Sequence, residues 1–197
     1  MQTAACRALA KLATSGAHID ALVGKGGVKE VCTALKRDAA HPDVPLAAVN
    51  FINTVGNVTK MDDVQLEGLI KEMVGAGAVN GILAALDAPA LEADGVANSD
   101  SPEFAAAAMK ALALLSRESP KALKEMLAGS AVDWAIHNLT DEKLKMNEAV
   151  VEASLKFLAA LVEDPSDQSA RADVVKKVVK AGAVDPSVMA LFNHPDH

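Results

Sequence analysis

The sequence predicts an all-α fold, an array of short helices stacked side by side, and three observations predict it. First, a break of small residues recurs four times, as "GKGGV" (24–28), "GAGAV" (75–79), "AGSAV" (128–132) and "KAGAV" (180–184). The valines that close these breaks, Val28, Val79, Val132 and Val184, stand 51, 53 and 52 residues apart. Second, each break opens a run with apolar residues at i, i+3, i+4 and i+7, the spacing of one buried helical stripe. Third, 51% of the residues are apolar but only 3% are aromatic, with no Tyr, so Ala, Val and Leu carry the apolar content. That composition suits closely packed helices. At 197 residues the chain can bury a substantial core as one domain. Self-similarity at a fixed period, however, reads as stacked units.

The elements follow in chain order. "ACRALAKLAT" (5–14) presents Cys6, Leu9 and Leu12 to the core, and "AHIDALVGK" reads as a short helix before the first break. The break opens the stripe Val28, Val31, Cys32, Leu35, and His41-Pro42-Asp43 turns the chain into "AVNFINTVGN" (48–57), whose core positions are Val49, Ile52 and Val55. "QLEGLIKEMVGA" leads to the second stripe, Val79, Ile82, Leu83, Leu86. The stretch 87–102, "DAPALEADGVANSDSP", has no helical period and carries Asp87, Glu92, Asp94 and Asp100, so it is expected to be a mobile, solvated acidic loop. Its oxygen ligands fit no EF-hand register. "AMKALALLSR" (108–117) buries Met109, Leu112 and Leu115; "PKALKEMLAG" precedes the third stripe, Val132, Ala135, Ile136, Leu139. "SLKFLAALVE" (154–163) buries Leu155, Leu158 and Leu161, and "ARADVVKKVVKA" precedes the fourth stripe, Val184, Ser187, Val188, Leu191, before His194-Pro195-Asp196. The four "ACRALAKLAT"-type segments align without gaps. The unit is thus three helices, with a small-residue break between the first and second. The expected division is a partial repeat 1–15 holding a third helix only, repeats 16–59, 60–118 (with the insertion 87–102) and 119–164, and a partial repeat 165–197 lacking its third helix.

Several functions are disfavoured. A net charge of −7 and a pI near 5.2 repel nucleic acid and anionic membranes. No uncharged run of eighteen apolar residues is present, so neither a spanning helix nor a signal peptide is expected. Cys6 and Cys32 fall on apolar helix positions and read as buried free thiols, which suits a reducing, cytoplasmic setting. His18, His41, His137, His194 and His197 make no HExxH or zinc spacing. "GKGG" evokes a phosphate loop, but no Gly-Lys-Ser/Thr follows and no strand precedes. Gly26, Gly27, Gly77 and Gly182 read instead as hinges between successive helices. No catalytic residue, cofactor or metal is expected, although a helical enzyme with an illegible site stays open as a third class.

The "GGV", "GAV", "SAV" and "GAV" junctions and the A-apolar-x-x-apolar-x-x-apolar third helices resemble the armadillo repeat across essentially the whole chain. The unit here is longer than the family's usual length, which also leaves room for a related helical-pair repeat such as HEAT. The resemblance implies a right-handed α-α superhelix of three-helix units whose third helices line a concave groove, and a noncatalytic scaffold that binds protein there. The non-core positions of those helices are Arg7, Lys11, Thr14; Asn50, Thr54, Asn57; Lys110, Leu114, Arg117; and Lys156, Ala160, Glu163. Five are basic and one acidic in a chain of net charge −7, so charge is sorted onto one face. The Trp and Asn ladder that the resemblance implies for importin-type members is absent here. A basic groove is expected to attract an extended acidic segment of a partner protein, with Arg7, Lys11, Asn50, Thr54, Asn57, Lys110, Arg117 and Lys156 as contacts. Trp134 stands off the core stripe, at the position of Glu30, Gly81 and Pro186, and reads equally as a contact anchor or as cover for a gap beside the next repeat. The chain opens inside a third helix and stops after a second, with no capping helix. A rival expectation is therefore a section of a larger rod or assembly, joined end-on through its terminal repeats. The acidic loop is further expected to compete with the partner for the groove.

Overall fold

The computed structural model describes residues 2–12, 16–57, 63–90, 97–117, 119–163 and, beyond these, 172, 175, 176, 179 and 180. The described residues form ten α-helices and no strand: α1 (Gln2–Leu12), α2 (Gly16–Gly24), α3 (Gly27–Arg37), α4 (Val44–Gly56), α5 (Asp63–Gly75), α6 (Ala78–Asp87), α7 (Pro102–Ser116), α8 (Pro120–Ala128), α9 (Ala131–Thr140) and α10 (Glu148–Glu163). The fold is all-helical. Thr14, Glu92, Asp94, Gly182, the stripe from Val184 to Leu191, His194 and His197 lie outside the described residues.

Short helices arise here because the breaks are enforced locally. Gly26 (φ 74°, ψ 13°) and Gly77 (φ 87°, ψ 27°) are left-handed, a conformation costly for residues with a Cβ, and they end α2 and α5 one residue before α3 and α6 begin. The third break is built differently. Gly129 (φ −95°, ψ −165°) and Ser130 (φ −87°, ψ 6°) turn the chain without positive φ, so the expectation of one hinge repeated unchanged is corrected there. Ser130 donates instead to the Asp87 carboxylate at 2.9 and 3.1 Å, which anchors the turn to the end of α6.

The helices that follow are started by side chains. His41 Nδ1 accepts the N–H groups of Asp43 (3.1 Å) and Val44 (3.4 Å) at the head of α4, as the His-Pro-Asp turn anticipates. Ser101 accepts from Phe104 N at the start of α7, and Ser119 accepts from Ala122 N at the start of α8, each ahead of a Pro in the first turn. Asn147 Oδ1 accepts from Val150 N, which starts α10.

Packing follows two layers. α1 lies on α4, α4 on α7 and α7 on α10, while α3 lies along α6 on the other side of the core. The stripes close this core: Val28, Val31, Cys32 and Leu35 are at most 1% exposed, and Val79, Ile82, Leu83, Leu86, Val132, Ala135 and Leu139 are buried, with Ile136 half-buried. On the long helices Val49, Ile52, Val55, Met109, Leu112, Leu115, Leu158 and Leu161 are buried, and Leu9 and Leu155 half-buried. Leu12 departs from expectation at 58% exposed, whereas the matching Val55 on α4 and Leu115 on α7 are buried. The rings of Phe51 and Phe157 fill the position that is Ala111 on α7, so large and small residues alternate along the stacked layer.

The stretch 87–102 is also corrected in part. Asp87 belongs to α6, and Asn98–Asp100 form a 3-10 turn in which Asn98 and Ser99 are buried. Asn98 donates from Nδ2 to Ala39 O at 2.9 Å, docking the end of the insertion on the turn before α4. An amide that satisfies a backbone carbonyl across 59 residues is a fastening, and the sequence pattern of a solvated loop hides it.

Candidate protein-binding groove

The stacked layer α1, α4, α7 and α10 leaves one row of side chains in solvent. Arg7 and Lys11 on α1, Asn50, Thr54 and Asn57 on and just past α4, Lys110 and Arg117 on and just past α7, and Lys156 on α10 are all exposed. Leu114 and Ala160, in the same row, are half-buried. Leu114 belongs to packing: a Cβ on Gly56 would come within 2.0 Å of its Cδ2, so Gly56 is the gap into which Leu114 fits at the end of α4. Nothing is described of the Glu163 side chain.

One open cleft of about 670 Å³ runs across this row. It is lined from three successive long helices and the turns that start them: Asn50 and Asn53 from α4, Glu103, Ala106, Ala107 and Lys110 from α7, and Asn147 and Ala149 beside and on α10, with Ser101 and Pro102 at its end. The sequence-derived Asn50 and Lys110 are therefore brought together. Asn53, Glu103 and Asn147 are additions the sequence reading missed. Asn53 is held by its own bond, Nδ2 to Ala107 O at 2.9 Å, which ties α4 to α7 beneath the cleft.

The charge is less one-sided than the row alone suggests. Arg7 Nη2 stands 4.0 Å from Asp43 Oδ1, and Lys156 is paired with Glu152 one turn earlier on α10. Both pairs are solvent-exposed and weak, but each lowers the local positive potential. Counting only positions at the repeat's spacing overlooks these acids, one just before α4 and one in the second turn of α10. Arg7, Lys11, Lys156, Lys110 and Arg117 remain the cations of this face, with Lys110 alone inside the cleft.

Trp134 serves a different place. Its indole Nε1 donates to Asp87 Oδ1 at 2.7 Å, and its ring meets the His137 ring edge-to-face at 5.2 Å. It is half-buried, packed on the core between α9 and the end of α6. Its indole thus bridges α9 to the end of α6.

The thiols are inert by environment. Burial raises the Cys32 thiol from 9.0 to about 12, with the Glu72 charge adding to the rise, and burial raises the Cys6 thiol as well. Asp141 is held below the usual carboxylate range because its Oδ1 accepts the N–H groups of Leu144 and Lys143, an arrangement that fixes the turn from α9 towards α10. Among the described residues, no single helix is long and apolar enough to cross a membrane, and no group of three or more His, Cys, Asp or Glu is placed to hold a metal ion.

The fold thus defines an all-helical protein with an open cleft of mixed polar and apolar lining on its packed long helices. No protein-family model matches the chain, and no curated protein matches it. Among solved structures it is similar to the crystal structure of an engineered protein, with a TM-score of 0.72 and 21% sequence identity over 99% of this chain and 68% of the other. At that identity the likeness is one of fold.

Proposed function

We propose that the protein is a noncatalytic armadillo-like solenoid that binds an extended, predominantly acidic segment of a partner protein along the face formed by α1, α4, α7 and α10. The observation that carries this reading is the cleft lined from three consecutive long helices, with Asn50 and Lys110 in it. A single cleft spanning α4, α7 and α10 needs those helices to form a concave surface, and repeat arrays use such surfaces for extended ligands. Amides suit a partner's backbone and Lys110 a carboxylate. Reversing Lys110 and Lys156 to Glu tests it by pull-down of bound proteins: specific capture is expected to be lost. Unchanged capture refutes the groove.

A second reading, a section of a larger helical assembly joined end-on, is favoured by one feature. A cleft of about 210 Å³ at the α1–α3 edge is lined by Ala5, Cys6, Leu9, Val31 and Ala34, with Glu30, Thr33 and Arg37 at its rim. Apolar residues in an open cleft at the edge of a stack suit a neighbouring unit. Capture that survives the Lys110 and Lys156 reversal but fails with Leu9→Glu supports this second reading.

A further inference from the structure

The charges inside the cleft lead to a narrower partner than an acidic segment. Glu103 and Lys110 both line it, seven residues apart on one face of α7, which places them about 10 Å apart along the helix axis. Among the described residues neither has an ion-pair partner, in contrast to Arg7 with Asp43 and Lys156 with Glu152. Between them Ala106 and Ala107 form a low floor, each only 7% exposed, over which a backbone can cross α7 closely. Asn50 and Asn147 stand on the two flanking sides.

We propose that this cleft takes one extended protein segment crossing α7 at Ala106, with adjacent acidic and basic residues, the acid on Lys110 and the base on Glu103. The geometry follows from the extended chain itself. Successive side chains point to opposite sides, so residues i and i+1 of a segment running across α7 face opposite ends of that helix. Their charged tips are then about 10 Å apart, the separation of Glu103 and Lys110. A uniformly acidic segment would meet Lys110 but place a like charge beside Glu103, and a uniformly basic one would do the reverse. The inference rests on the groove reading above and specifies its ligand.

The test is selection of random twelve-residue peptides, displayed on phage, against the intact chain and against its Glu103→Gln and Lys110→Gln variants. Both positions are exposed, and unchanged circular dichroism and melting check that the variants fold. The parent pool is expected to be enriched in neighbouring acid–base residues. A synthetic peptide from it should bind each variant about two- to fivefold more weakly, the worth of one exposed charge pair. The Glu103→Gln pool should keep the acid and lose the base. A parent pool rich in acids without an adjacent base, and indifferent to Glu103→Gln, overturns this inference while leaving the groove reading intact. No enrichment over an unrelated helical protein, or indifference to both substitutions, overturns both.

Discussion

Gly77→Ala isolates the backbone contribution of the hinge. A Cβ built on Gly77 or on Gly26 has no heavy atom within 4 Å, so neither substitution creates a clash. What it creates is a side chain at φ 87° or 74°. Left-handed backbone costs an L residue about 1–2 kcal/mol. Loss of glycine's freedom in the unfolded chain returns about 0.4–1 kcal/mol. The net cost of each substitution is therefore about 0.5–1 kcal/mol, and a chain of this size should melt roughly 2–4 °C lower for each kcal/mol. Asn at the same site, which tolerates the left-handed region, should cost less than Ala. Ser130→Gly is the control, because φ of −87° needs no glycine; it should lose only the hydroxyl bonds to Asp87 and some backbone order. Urea unfolding followed by circular dichroism measures all four variants, with an unchanged slope showing that the same surface is exposed. Gly26→Ala and Gly77→Ala as stable as the parent would refute the argument that positive φ makes these breaks.

Three further outcomes follow from the described contacts. The Cys32 thiol is un-ionised in the fold up to about pH 12 but ionises near 9.0 when exposed, so stability is full below pH 9 and falls by about 1.4 kcal/mol per pH unit as pH rises from 9 towards 12. Urea midpoints at pH 8 and 11 should therefore separate more for the parent than for Cys32→Val, and equal separations would contradict the burial argument. Asp87→Ala and Trp134→Phe should each destabilise by about 1 kcal/mol and show a coupling of similar size in a double-mutant cycle, because Trp134 donates directly to Asp87; additivity would show that the bond contributes nothing. Asn138 is fully buried, donates to Ser154 Oγ at 3.2 Å and, among the described residues, leaves its own Oδ1 without a partner, where the matching positions elsewhere are Ala34 and Ala85 against Ala48 and Ala108. Asn138→Ala with Ser154→Ala should be at least as stable as the parent by thermal melting, since both polar groups leave together; a loss above about 1 kcal/mol would show that the pair is favourable.

Much of the helix pattern was legible in the sequence because burial on one face imposes a period that residue types display directly. Val28, Val31, Cys32 and Leu35 could be assigned to the core from spacing alone. What escaped depends on partners far away in sequence. Leu12 carries the right spacing yet is 58% exposed, because spacing marks a face of the helix and not the neighbour that covers it. Asn98 looks like loop polarity until Ala39 O is found beside it. The exposed row was legible by the same logic as the core, being its complement: of its twelve positions the eight named as contacts are exposed, while Leu114 and Ala160 are half-buried. The cleft was not, because Glu103 and Asn147 lie near helix starts, outside the aligned windows, and enter only through the way α4, α7 and α10 converge.

One register position explains how that convergence is arranged. On α6 it is Gly81, whose missing Cβ would stand 3.0 Å from Leu35 Cγ and 3.4 Å from Lys36 N, so α3 and α6 can lie closely side by side. On α9 it is Trp134, which holds the end of α6 through Asp87 in place of close helix contact, and α6 packs on α8 more than on α9. On the opposite layer α7 and α10 run together along much of their length. On the proposed solenoid reading, a joint spread on one side by an indole and closed on the other by packed helices is a wedge, and a wedge bends the stack towards its closed side. That side holds Glu103, Lys110 and Asn147. On the proposed reading, Trp134 therefore shapes the groove without touching the ligand: a small residue there would let α9 settle towards α6, flatten the stack and open the cleft. Trp134→Gly should accordingly weaken peptide binding at the cleft while leaving every lining residue in place.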